Sequence, residues 1–404
     1  MKHIAYLAPE IPALSATFVY NEILVFQAMG YQITPISVHF PQSMADDERL
    51  AALRKTTCYL YRKGLGKFLL SAFLQLLISP NRTMQCLWAL LRDVWQVGLF
   101  SRTGAGLFYR FAAACQVARV LKREGCTHLH IHFAHVPTDI GMYASLLTGI
   151  PFSFTAHAND IFERGWLLRE KVARSKFTVT ISEYNRNWLT TKGCQGDKIH
   201  IVRCGIDSRR FICAPLKKTL PPFQIGAIGR MVEKKGFDTL IEAAALLVEK
   251  GMNLRLIVAG EGPMKNTLHK LVQRLWLQDT VEFPGTIANQ DVAAWLHTLD
   301  IFVLPCRKDQ NGDMDGIPVV LMEAMLSGVP VISTRLSGIP ELITNEVSGL
   351  LTTPHDPHSL AQGMERLLLD YQLRKKICQN AITQVQLEFD AQANIERLLD
   401  LIVN

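Results

Sequence analysis

The sequence lacks the paired cysteines of zinc-binding and disulfide-rich proteins. Its nine cysteines are spread from Cys58 to Cys378, and no two of them form a C-x-x-C pair. An odd and scattered set of cysteines is atypical of a disulfide framework and of a zinc knuckle. We therefore expect free thiols in a reducing compartment, which predicts a cytoplasmic protein.

Long hydrophobic runs are missing as well. The longest, FLLSAFLQLLIS at 68–79, has about half the length that a membrane-spanning helix needs. The N-terminal stretch MKHIAYLAPEIPALS carries one lysine and soon reaches Pro9 and Pro12, which is typical of a strand and loop rather than a signal peptide. We expect neither export nor a transmembrane anchor, while peripheral contact with a membrane stays open.

Two phosphate-binding fingerprints are absent, namely G-x-G-x-x-G and G-x-x-x-x-G-K-[ST]. Their absence argues against a dinucleotide oxidoreductase and a P-loop kinase. Low-complexity tracts are absent too, and 49% of the 404 residues are hydrophobic while 20% are charged. This composition suits a globular protein of two domains with about 200 residues each.

Positive charge is concentrated in the first half of the chain. The net charge is +7, and residues 1–200 hold 22 lysines and arginines against 13 acidic residues, whereas the remainder holds 21 against 23. The cations of 54–123 flank apolar or amphipathic segments: Arg54, Lys55, Arg62, Lys63, Lys67, Arg82, Arg92, Arg102, Arg110, Arg119, Lys122 and Arg123. Basic patches beside apolar faces suit an anionic membrane surface or a lipid phosphate. Solvated helix faces are the alternative, and nucleic acid is not expected because no RNA-type aromatic motif or recognition-helix pattern accompanies the cations.

The second half alternates between strands and helices. The segments QIGAIGRM, NLRLIVAGEG, VEFPG, DIFVLPC and VPVIST read as strands, and helical patterns such as FDTLIEAAALLVEKG and PMKNTLHKLVQRLWL separate them. Strands alternating with helices of 10–15 residues indicate parallel βαβ units. We expect a Rossmann-like, doubly wound C-terminal domain over 223–404.

The first half shows the same alternation of strands and helices, with an insertion. Six segments read as strands, KHIAYLAP, ITPISVHF, THLHIHF, PFSFTAH, KFTVTIS and KIHIVRC, and a long helical stretch interrupts them at about 46–122. We expect an N-terminal Rossmann-like domain over 1–204 and a linker over 205–222, where prolines and cations cluster. The fold class is α/β with two such domains facing across a cleft, and ligands of open parallel sheets bind at the carboxyl ends of the strands.

Cations and glycines mark an anion site in the second half. Gly229 and Arg230 end a strand, and Glu233-Lys234-Lys235-Gly236 precedes a helix. Backbone amides at a helix N-terminus together with such cations suit phosphate, with surface cations around a tight turn as the alternative. The turn Gly-Glu-Gly-Pro at 260–263 repeats the geometry, although an ordinary βα turn is the better explanation of this segment taken alone.

The stretch NGDMDGIPVVLMEAM at 311–325 contains two closely spaced aspartates, Asp313 and Asp315, followed by a single glutamate, Glu323. Asn311-x-Asp313-x-Asp315-Gly316 copies the first half of a calcium loop, but the required twelfth-position Glu falls on Met322, one residue before Glu323. The calcium register therefore fails. A DxD motif that holds a divalent ion with a nucleotide diphosphate is a further alternative.

Glu323 lies in a segment that we predict to be a buried helix over 318–327. Pro318 suits its first turn, and apolar residues fill 319–322 and 324–326, which covers all sides of a helix. A carboxylate there needs partners, since an unpaired buried charge is costly. A structural arginine is one candidate partner, and a ribose diol beside the phosphate site is the other.

Histidines cluster in the first half. His128, His130 and His132 alternate along one strand, a spacing that is poor for zinc because its ligands must converge. We expect no metal site. His157 in FTAHAND ends a strand, where it either caps the strand or faces a reaction centre.

These segments together resemble the retaining GT-B glycosyltransferases of family 4, also called glycosyltransferase group 1. The resemblance rests on GRMVEKKG, DGIPVVLMEAM, GVPVIST and SGIPELI, and extends to SATFVYNEI, FSFTAHANDIF, VRCGIDSRRF, VAGEGP and FPGTI, so it covers most of the chain. The form NGDMDGIP looks most like the bacterial exopolysaccharide enzymes of the colanic-acid type.

The resemblance implies a role for each matching residue. A UDP- or GDP-linked sugar would bind mainly to the C-terminal domain, and a saccharide or lipid-linked saccharide acceptor to the N-terminal one. Arg230 and Lys235 would hold the donor diphosphate, Asp315, Gly316 and Ile317 the donor sugar, and Glu323 the ribose. Gly285, Thr286 and Ile287 would lie beside the base, and His157 would join Asp315 at the reaction centre. No cofactor or metal is implied, and neither is a protein nucleophile, because the departing phosphate takes the proton of the acceptor.

Two positions depart from the family pattern. The first acid of the E-x7-E motif is here Asp315, which is shorter than Glu by about one bond of roughly 1.5 Å, so its contact with a sugar hydroxyl shifts or passes through water. Pro318 stands where many members have Gly, which removes one amide donor.

Three hypotheses follow from the sequence. The first is a metal-independent, retaining transferase of a hexose-type sugar, acting in exopolysaccharide synthesis at the inner face of the plasma membrane. The second is a nucleotide-sugar epimerase of similar fold. The third is a non-catalytic basic module that docks on membrane.

Overall fold

The computed structural model describes residues 2–13, 16–41, 48–61, 65–213, 215–216 and 219–403, with backbone only at 48 and 65–69. The chain divides into two compact units, one of Met1–Val202 with Ile395–Asn404 and one of Arg203–Asn394. Of the cations predicted for a basic surface, Arg62 and Lys63 and the side chain of Lys67 lie outside the described residues.

The first unit contains a parallel sheet of seven strands. They are β1 (His3–Glu10), β2 (Gln32–His39), β3 (Cys58–Tyr59), β4 (His128–His132), β5 (Phe152–Ala156), β6 (Phe177–Thr180) and β7 (Ile199–Ile201). Their order is β3-β2-β1-β4-β5-β6-β7, and every neighbouring pair is parallel. Strands β4, β5 and β6 are buried along their whole length, as parallel strands covered on both faces must be.

Nine helices connect these strands. They are α1 (Thr17–Ala28), α2 (Glu48–Thr56), α3 (Leu65–Ile78), α4 (Pro80–Val97), α5 (Arg102–Arg123), α6 (Val136–Thr148), α7 (Asn159–Phe162), α8 (Leu168–Arg174) and α9 (Glu183–Thr191), counted over the described residues. The interval 46–122, which we predicted to be helical, also carries the edge strand β3. Ser101 caps α5, because its hydroxyl accepts the amide of Gly104 at 2.9 Å.

The second unit contains a parallel sheet of six strands. They are β8 (Phe223–Ile228), β9 (Leu254–Ala259), β10 (Val281–Glu282), β11 (Ile301–Val303), β12 (Val331–Thr334) and β13 (Leu350–Thr352), in the order β10-β9-β8-β11-β12-β13. Its helices are α10 (Phe237–Glu249), α11 (Lys265–Arg274), α12 (Val292–Leu296), α13 (Val319–Leu326), α14 (Ile339–Leu342), α15 (Pro357–Leu369) and α16 (Tyr371–Glu388). The order reverses direction between β8 and β11, and ligands of such sheets bind where the order reverses.

The last helix, α17 (Ala391–Val403), begins in the second unit and continues in the first. Its side chains Ile395, Leu398, Leu399 and Ile402 pack in a core cluster of the first unit with Ile4 and Phe26. No helix among the described residues is both long and apolar enough to cross a membrane.

Candidate active site

Two glycines bring the loops that follow β8 and β9 close together. A side chain on Gly260, whose φ is +129°, would place its Cβ 2.0 Å from the carbonyl oxygen of Gly229, and one on Gly262 would lie 2.5 Å from the carbonyl of Met231. The backbone amide of Met231 donates to the carbonyl of Glu261 at 2.9 Å. The sequence GEGP therefore has a structural reason, since only glycine permits this approach at the carboxyl ends of the strands.

The lysines predicted for phosphate lie on a 3₁₀ turn over Glu233–Lys235. Lys235 Nζ lies 2.7 Å from Oδ2 of Asp315. Lys234 Nζ lies 2.7 Å from Asp313 and 3.4 Å from Oδ1 of Asp315. The structure thus joins the predicted phosphate-binding lysine to the predicted sugar-binding acid, although 79 residues separate them in the sequence.

The charges of Lys234, Lys235 and Asp315 shift one another's pKa values. Burial alone would raise the pKa of Asp315, but Lys235 and then Lys234 outweigh it, so the pKa lies below the usual value. Burial conversely lowers the pKa of Lys235, and Asp315 more than compensates, so this pKa is raised. Both groups are therefore charged at neutral pH. The carboxylate of Asp315 balances the charge of Lys235 before any ligand binds.

Arg307 holds the lysine turn in place and was missed by the sequence reasoning. Its amide donates to the carbonyl of Lys234 at 2.9 Å and its Nε to the carbonyl of Glu233 at 3.0 Å. Its Nη2 lies 2.8 Å from Asp238. Three residues separate the end of strand β11 from Arg307. One of them, Cys306, donates a weak hydrogen bond from Sγ to Asp315 at 3.4 Å. The signal available in the sequence was that Arg307 directly follows the predicted strand DIFVLPC.

Arg230 lies in the same loop as Lys235. It is exposed, and it forms no ion pair with any acid in the part of the chain that the structure describes. The Cε of Lys235 lies 3.4 Å from where a Cβ on Gly229 would stand, so the lysine stem packs against the residue before Arg230. Within the described part of the chain, the loop therefore offers two paired cations, Lys234 and Lys235, and one cation without an ion pair, Arg230.

Glu323 is only half-buried, which corrects the prediction of a wholly buried helix. On α13, Val319 is 36% exposed, and Glu323 lies one turn further along on the same side. Apolar side chains on every side of a helix do not require that every side be covered. Pro318 precedes α13 as its N-cap with φ −66° and ψ 122°, rather than forming part of its first turn.

The carboxylate of Glu323 has no ion-pair or hydrogen-bond partner within the described ranges. Partial burial raises its pKa, and Arg210 opposes this to a smaller extent. The guanidinium of Arg210 itself donates to Asn289 at 3.2 Å. A structural arginine, the alternative partner that the sequence allowed, therefore forms no ion pair with Glu323, and the carboxylate keeps its acceptor capacity for a ligand.

The remaining residues predicted for the donor lie near these loops. The amide of Gly260 donates to the carbonyl of Gly285 at 2.7 Å, and Gly285 has a φ of +82°. Thr286 is exposed and Ile287 is partly buried. Gly316 and Ile317 are buried, and the Ile317 side chain belongs to the core, so only its backbone is available to a donor sugar.

In the first unit, His157 follows β5 directly and is buried. Its amide donates to Oδ1 of Asp160 at 2.9 Å, and its ring Nε2 lies 3.4 Å from Nδ1 of His132. Burial lowers its pKa well below the usual value, and His132 and His135 act in the same direction, so the imidazole is neutral. Burial raises the pKa of Asp160 to about 6, while the amides of Ala134 and His157 oppose this.

His130 and His132 lie on one strand with Glu22 opposite, and the three donor atoms lie within 4.8 Å of one another. His130 Nδ1 lies 2.8 Å from the Ser153 hydroxyl and its Nε2 lies 3.1 Å from that of Thr155. Both nitrogens of His130 therefore already have hydroxyl partners.

Exposed apolar side chains are concentrated on α3, on α4 and just after α4, and this set is here called the α3–α4 face. Trp88 is 74% exposed, Trp95 79% and Phe100 99%. The face consists of Leu70, Phe73, Leu77, Met84, Trp88, Leu91, Trp95, Leu99 and Phe100. Residues 84, 88, 91 and 95 share one side of α4 because they follow the helical period.

Comparison with known proteins identifies two family regions. The family described as glycosyltransferase family 4 matches residues 15–210, and the family described as glycosyl transferases group 1 matches 208–384. A putative colanic acid biosynthesis glycosyltransferase of Escherichia coli is 30% identical and covers 99% of both chains. An amylovoran biosynthesis glycosyltransferase of Erwinia amylovora is 28% identical over 90% of both.

Solved structures share the fold at low identity. The Anabaena protein HepE, solved in complex with UDP, superimposes with a TM-score of 0.72 at 16% identity and covers 99% of both chains. A glycosyltransferase from Rickettsia africae gives 0.70 at 17% identity, covering 99% of this chain and 98% of that one. These neighbours and the two parallel sheets confirm the predicted GT-B fold. The chain belongs to the glycosyltransferases of group 1, family 4, and is similar to those of bacterial exopolysaccharide synthesis.

Proposed function

We propose that this glycosyltransferase moves a hexose-type sugar, with retained configuration, from a UDP- or GDP-linked donor to a saccharide or lipid-linked saccharide acceptor of exopolysaccharide synthesis. Two observations carry the proposal: the Lys235–Asp315 ion pair, and the Glu323 carboxylate on the following helix, which has no ion-pair or hydrogen-bond partner among the residues that the structure describes. A diphosphate, a sugar and a ribose need a cation and two acceptor groups of this kind.

The proposed reaction breaks the bond between the anomeric carbon and the diphosphate oxygen, whose electron pair stays with the phosphate. The acceptor hydroxyl attacks the same face, its oxygen bonds to the anomeric carbon, and its proton passes to the departing phosphate. Lys235 and Arg230 stabilise the charge that develops on the leaving group. Asp315, once its lysine has turned to the phosphate, accepts a hydroxyl of the donor sugar.

We propose that donor binding needs no divalent ion. In a metal-dependent site the two aspartates would be ligands of the ion, whereas here Lys234 and Lys235 lie 2.7 Å from Asp313 and Asp315 respectively. The ammonium groups supply the positive charge that a metal would otherwise bring to the diphosphate.

Thermal unfolding with a panel of nucleotide sugars tests the donor site. We expect a UDP- or GDP-sugar to raise the melting temperature equally with and without a chelator, and Lys235→Ala or Glu323→Ala to abolish the shift. Lys250→Ala is the control, since this exposed lysine pairs with Glu365 elsewhere in the second unit. Loss of the shift on chelation would contradict metal independence.

Product analysis tests the reaction. We expect the donor to stay intact without acceptor and its sugar to appear, with the original anomeric configuration, on material from a membrane extract. Conversion of the donor sugar without any acceptor would instead assign an epimerase.

We also propose that the first unit meets its acceptor at an anionic membrane surface, at the inner face of the plasma membrane. The α3–α4 face offers tryptophans and aliphatic side chains of the kind that enter a bilayer interface. The exposed Arg82 and Arg92 on α4 and Arg102 on α5 supply the matching positive charge. Under this proposal a lipid-linked acceptor is held where its lipid resides.

A further inference from the structure

A line of hydrogen bonds leads from a carboxylate to His157 in the first unit. Oε2 of Glu22 on α1 lies 2.9 Å from Nε2 of His132. Nδ1 of His132 in turn lies 3.4 Å from Nε2 of His157. The His132 and His157 rings stack with centroids 5.7 Å apart and 22° between their planes. Neither Glu22 nor His132 was singled out as a site residue by the sequence.

We propose that Glu22 and His132 are positioning residues that hold the imidazole of His157 in the tautomer with its proton on Nε2 and its lone pair on Nδ1. This proposal rests on the proposed function, because it concerns the residue that the family resemblance assigns to the reaction centre. It adds a reason why that residue presents one defined nitrogen to the reaction.

The tautomer follows from the order of donors and acceptors. An ionised carboxylate only accepts hydrogen bonds, so His132 must carry its proton on Nε2, the nitrogen that faces Glu22. A neutral imidazole with a proton on Nε2 has its lone pair on Nδ1, and this nitrogen faces His157. His157 must then donate from Nε2, which fixes its own tautomer. A carboxylate that orients a histidine in this way is a recurring arrangement in active sites.

Further contacts hold Glu22 and His157 in place at the two ends of the line. The Tyr6 hydroxyl donates to the same Oε2 of Glu22 at 3.3 Å, so this oxygen faces two donors. Two aromatic rings restrict the movement of the His157 ring. The distance between ring centroids is 4.7 Å for Phe18 and 4.6 Å for Phe133. Among the described residues, the charged or titratable groups around His157 include His130, His132, His135 and the Asp160 carboxylate, which accepts a hydrogen bond from the His157 amide.

A metal ion at Glu22, His130 and His132 would need a different proton arrangement. An ion bound to His132 through Nε2 would occupy the lone pair where the proposal places a proton. The line of hydrogen bonds and a metal site are therefore mutually exclusive, and the experiment distinguishes them.

Nitrogen-15 spectra of ring-labelled histidine in the full chain test the tautomer directly. Comparison with His157→Asn identifies the resonances of His157. We expect a protonated Nε2 and an unprotonated Nδ1 in the wild type, and a mixture of tautomers in Glu22→Gln, because an amide both donates and accepts. A proton on Nδ1 of His157, or a spectrum unchanged by Glu22→Gln, would overturn the proposal. So would one equivalent of bound metal in the purified protein that Glu22→Gln removes.

Kinetics test whether the tautomer matters. We expect Glu22→Gln to lower kcat by about tenfold and leave KM for the donor unchanged, and Glu22→Asp to restore part of the loss. Glu124→Gln, at an exposed acid of the same unit that pairs with Arg123, is the control. Equal kcat for Glu22→Gln and wild type would overturn the proposal. Absence of transfer in the wild type would contradict only the proposed function, since the spectra decide on the tautomer without it.

Discussion

Asp315 and Lys235 form an ion pair at 2.7 Å. Under the proposed function, a donor diphosphate would therefore have to take the lysine away from its carboxylate, and the free energy of that exchange would set part of the donor affinity. Lys234 has a second partner, Asp313, and does not depend on Asp315 alone. The Lys235–Asp315 pair would thus link two events, the binding of phosphate to the lysine and the release of the carboxylate for a sugar hydroxyl.

We expect Asp315→Asn to bind UDP or GDP more tightly than the wild type and to transfer sugar more slowly. The amide leaves Lys235 without its counter-charge, and a factor of about 3 to 10 in Kd corresponds to roughly 1 kcal/mol for a partly buried pair. Titration calorimetry with the nucleotide diphosphate measures the affinity. Asp313→Asn is the matched control, because it removes the nearer ion-pair partner of Lys234 and leaves the ion pair between Lys235 and Asp315 intact. Weaker nucleotide binding by Asp315→Asn would show that the carboxylate does not compete with phosphate.

Strand β4 carries buried histidines that make the first unit sensitive to acid. Burial lowers the pKa of His128 to about 3, with Lys176 and Lys2 adding to the effect. Burial also lowers the pKa of His135, just beyond the strand, to about 3, and that of His130 well below its usual value. In the unfolded chain these groups take up protons near pH 6.5. Their contribution to stability is therefore complete above that pH and is lost as the pH falls toward 3.

Asp160 has the opposite effect on the pH dependence of stability. Its folded pKa of about 6 lies above the unfolded value, so the folded state binds the extra proton and gains stability as the pH falls from about 6 to about 4. Four histidines of the first unit, His128, His130, His135 and His157, have a lowered pKa and outnumber this one carboxyl group, so acid lowers the net stability of the first unit.

We expect His128→Gln to reduce the loss of stability between pH 7 and pH 5. A histidine that is neutral when folded and protonated when unfolded loses about 2 kcal/mol over this range, and glutamine does not titrate. The thermal midpoint at both pH values measures the effect. His358→Gln, at an exposed histidine of α15, is expected to keep the wild-type pH dependence. Equal pH dependence in His128→Gln and wild type would contradict the assignment.

The α3–α4 face is the element that we expect to contact membrane. The triple variant Trp88→Ser, Leu91→Ser and Trp95→Ser is expected to lose more than tenfold in binding to vesicles of anionic phospholipid, because each large apolar side chain that leaves water contributes about 1.5–3 kcal/mol. Cosedimentation measures the bound fraction.

The control for that experiment removes equally exposed apolar residues elsewhere. Trp276, Leu369 and Leu387 of the second unit are 86%, 64% and 71% exposed, and their triple serine variant is expected to bind vesicles like the wild type. Equal losses in both variants, or no binding of the wild type, would rule out a specific membrane face.

The sequence predicted most strands and missed β3 and β13, which have two and three residues. Short length alone does not explain the miss, because β10 also has two residues and was predicted. β3 lies inside the interval 46–122 that was predicted to be helical, where the helical pattern of the flanking residues dominates. The α3–α4 face was not predicted as a surface, because periodicity shows which residues share a side of a helix and not whether another element covers that side. For the same reason Glu323 was predicted to be wholly buried. The Lys235–Asp315 pair depends on how two loops approach, which no local pattern encodes.

At the scale of the whole molecule, the chain leaves the first unit at Val202 and returns to it at Ile395. The C-terminal residues complete a core that the N-terminal strands begin, since Leu398 and Ile402 pack with Ile4 and Phe26. The stability of the first unit therefore depends on residues that follow the second unit in the chain, whereas the proposed donor residues all lie in the second unit.

We expect Leu398→Ala to destabilise the first unit by about 2–5 kcal/mol, because it leaves a cavity at a side chain that is only 2% exposed. Thermal unfolding should show a lower midpoint, while calorimetry at a temperature where the variant is folded should show unchanged affinity for the nucleotide diphosphate. Leu387→Ala, at an exposed residue of α16, is the control and is expected to change neither. Because the proposed donor residues Arg230, Lys235, Asp315 and Glu323 all lie in the second unit, a parallel loss of nucleotide affinity in Leu398→Ala would mean that donor binding depends on the first unit as well.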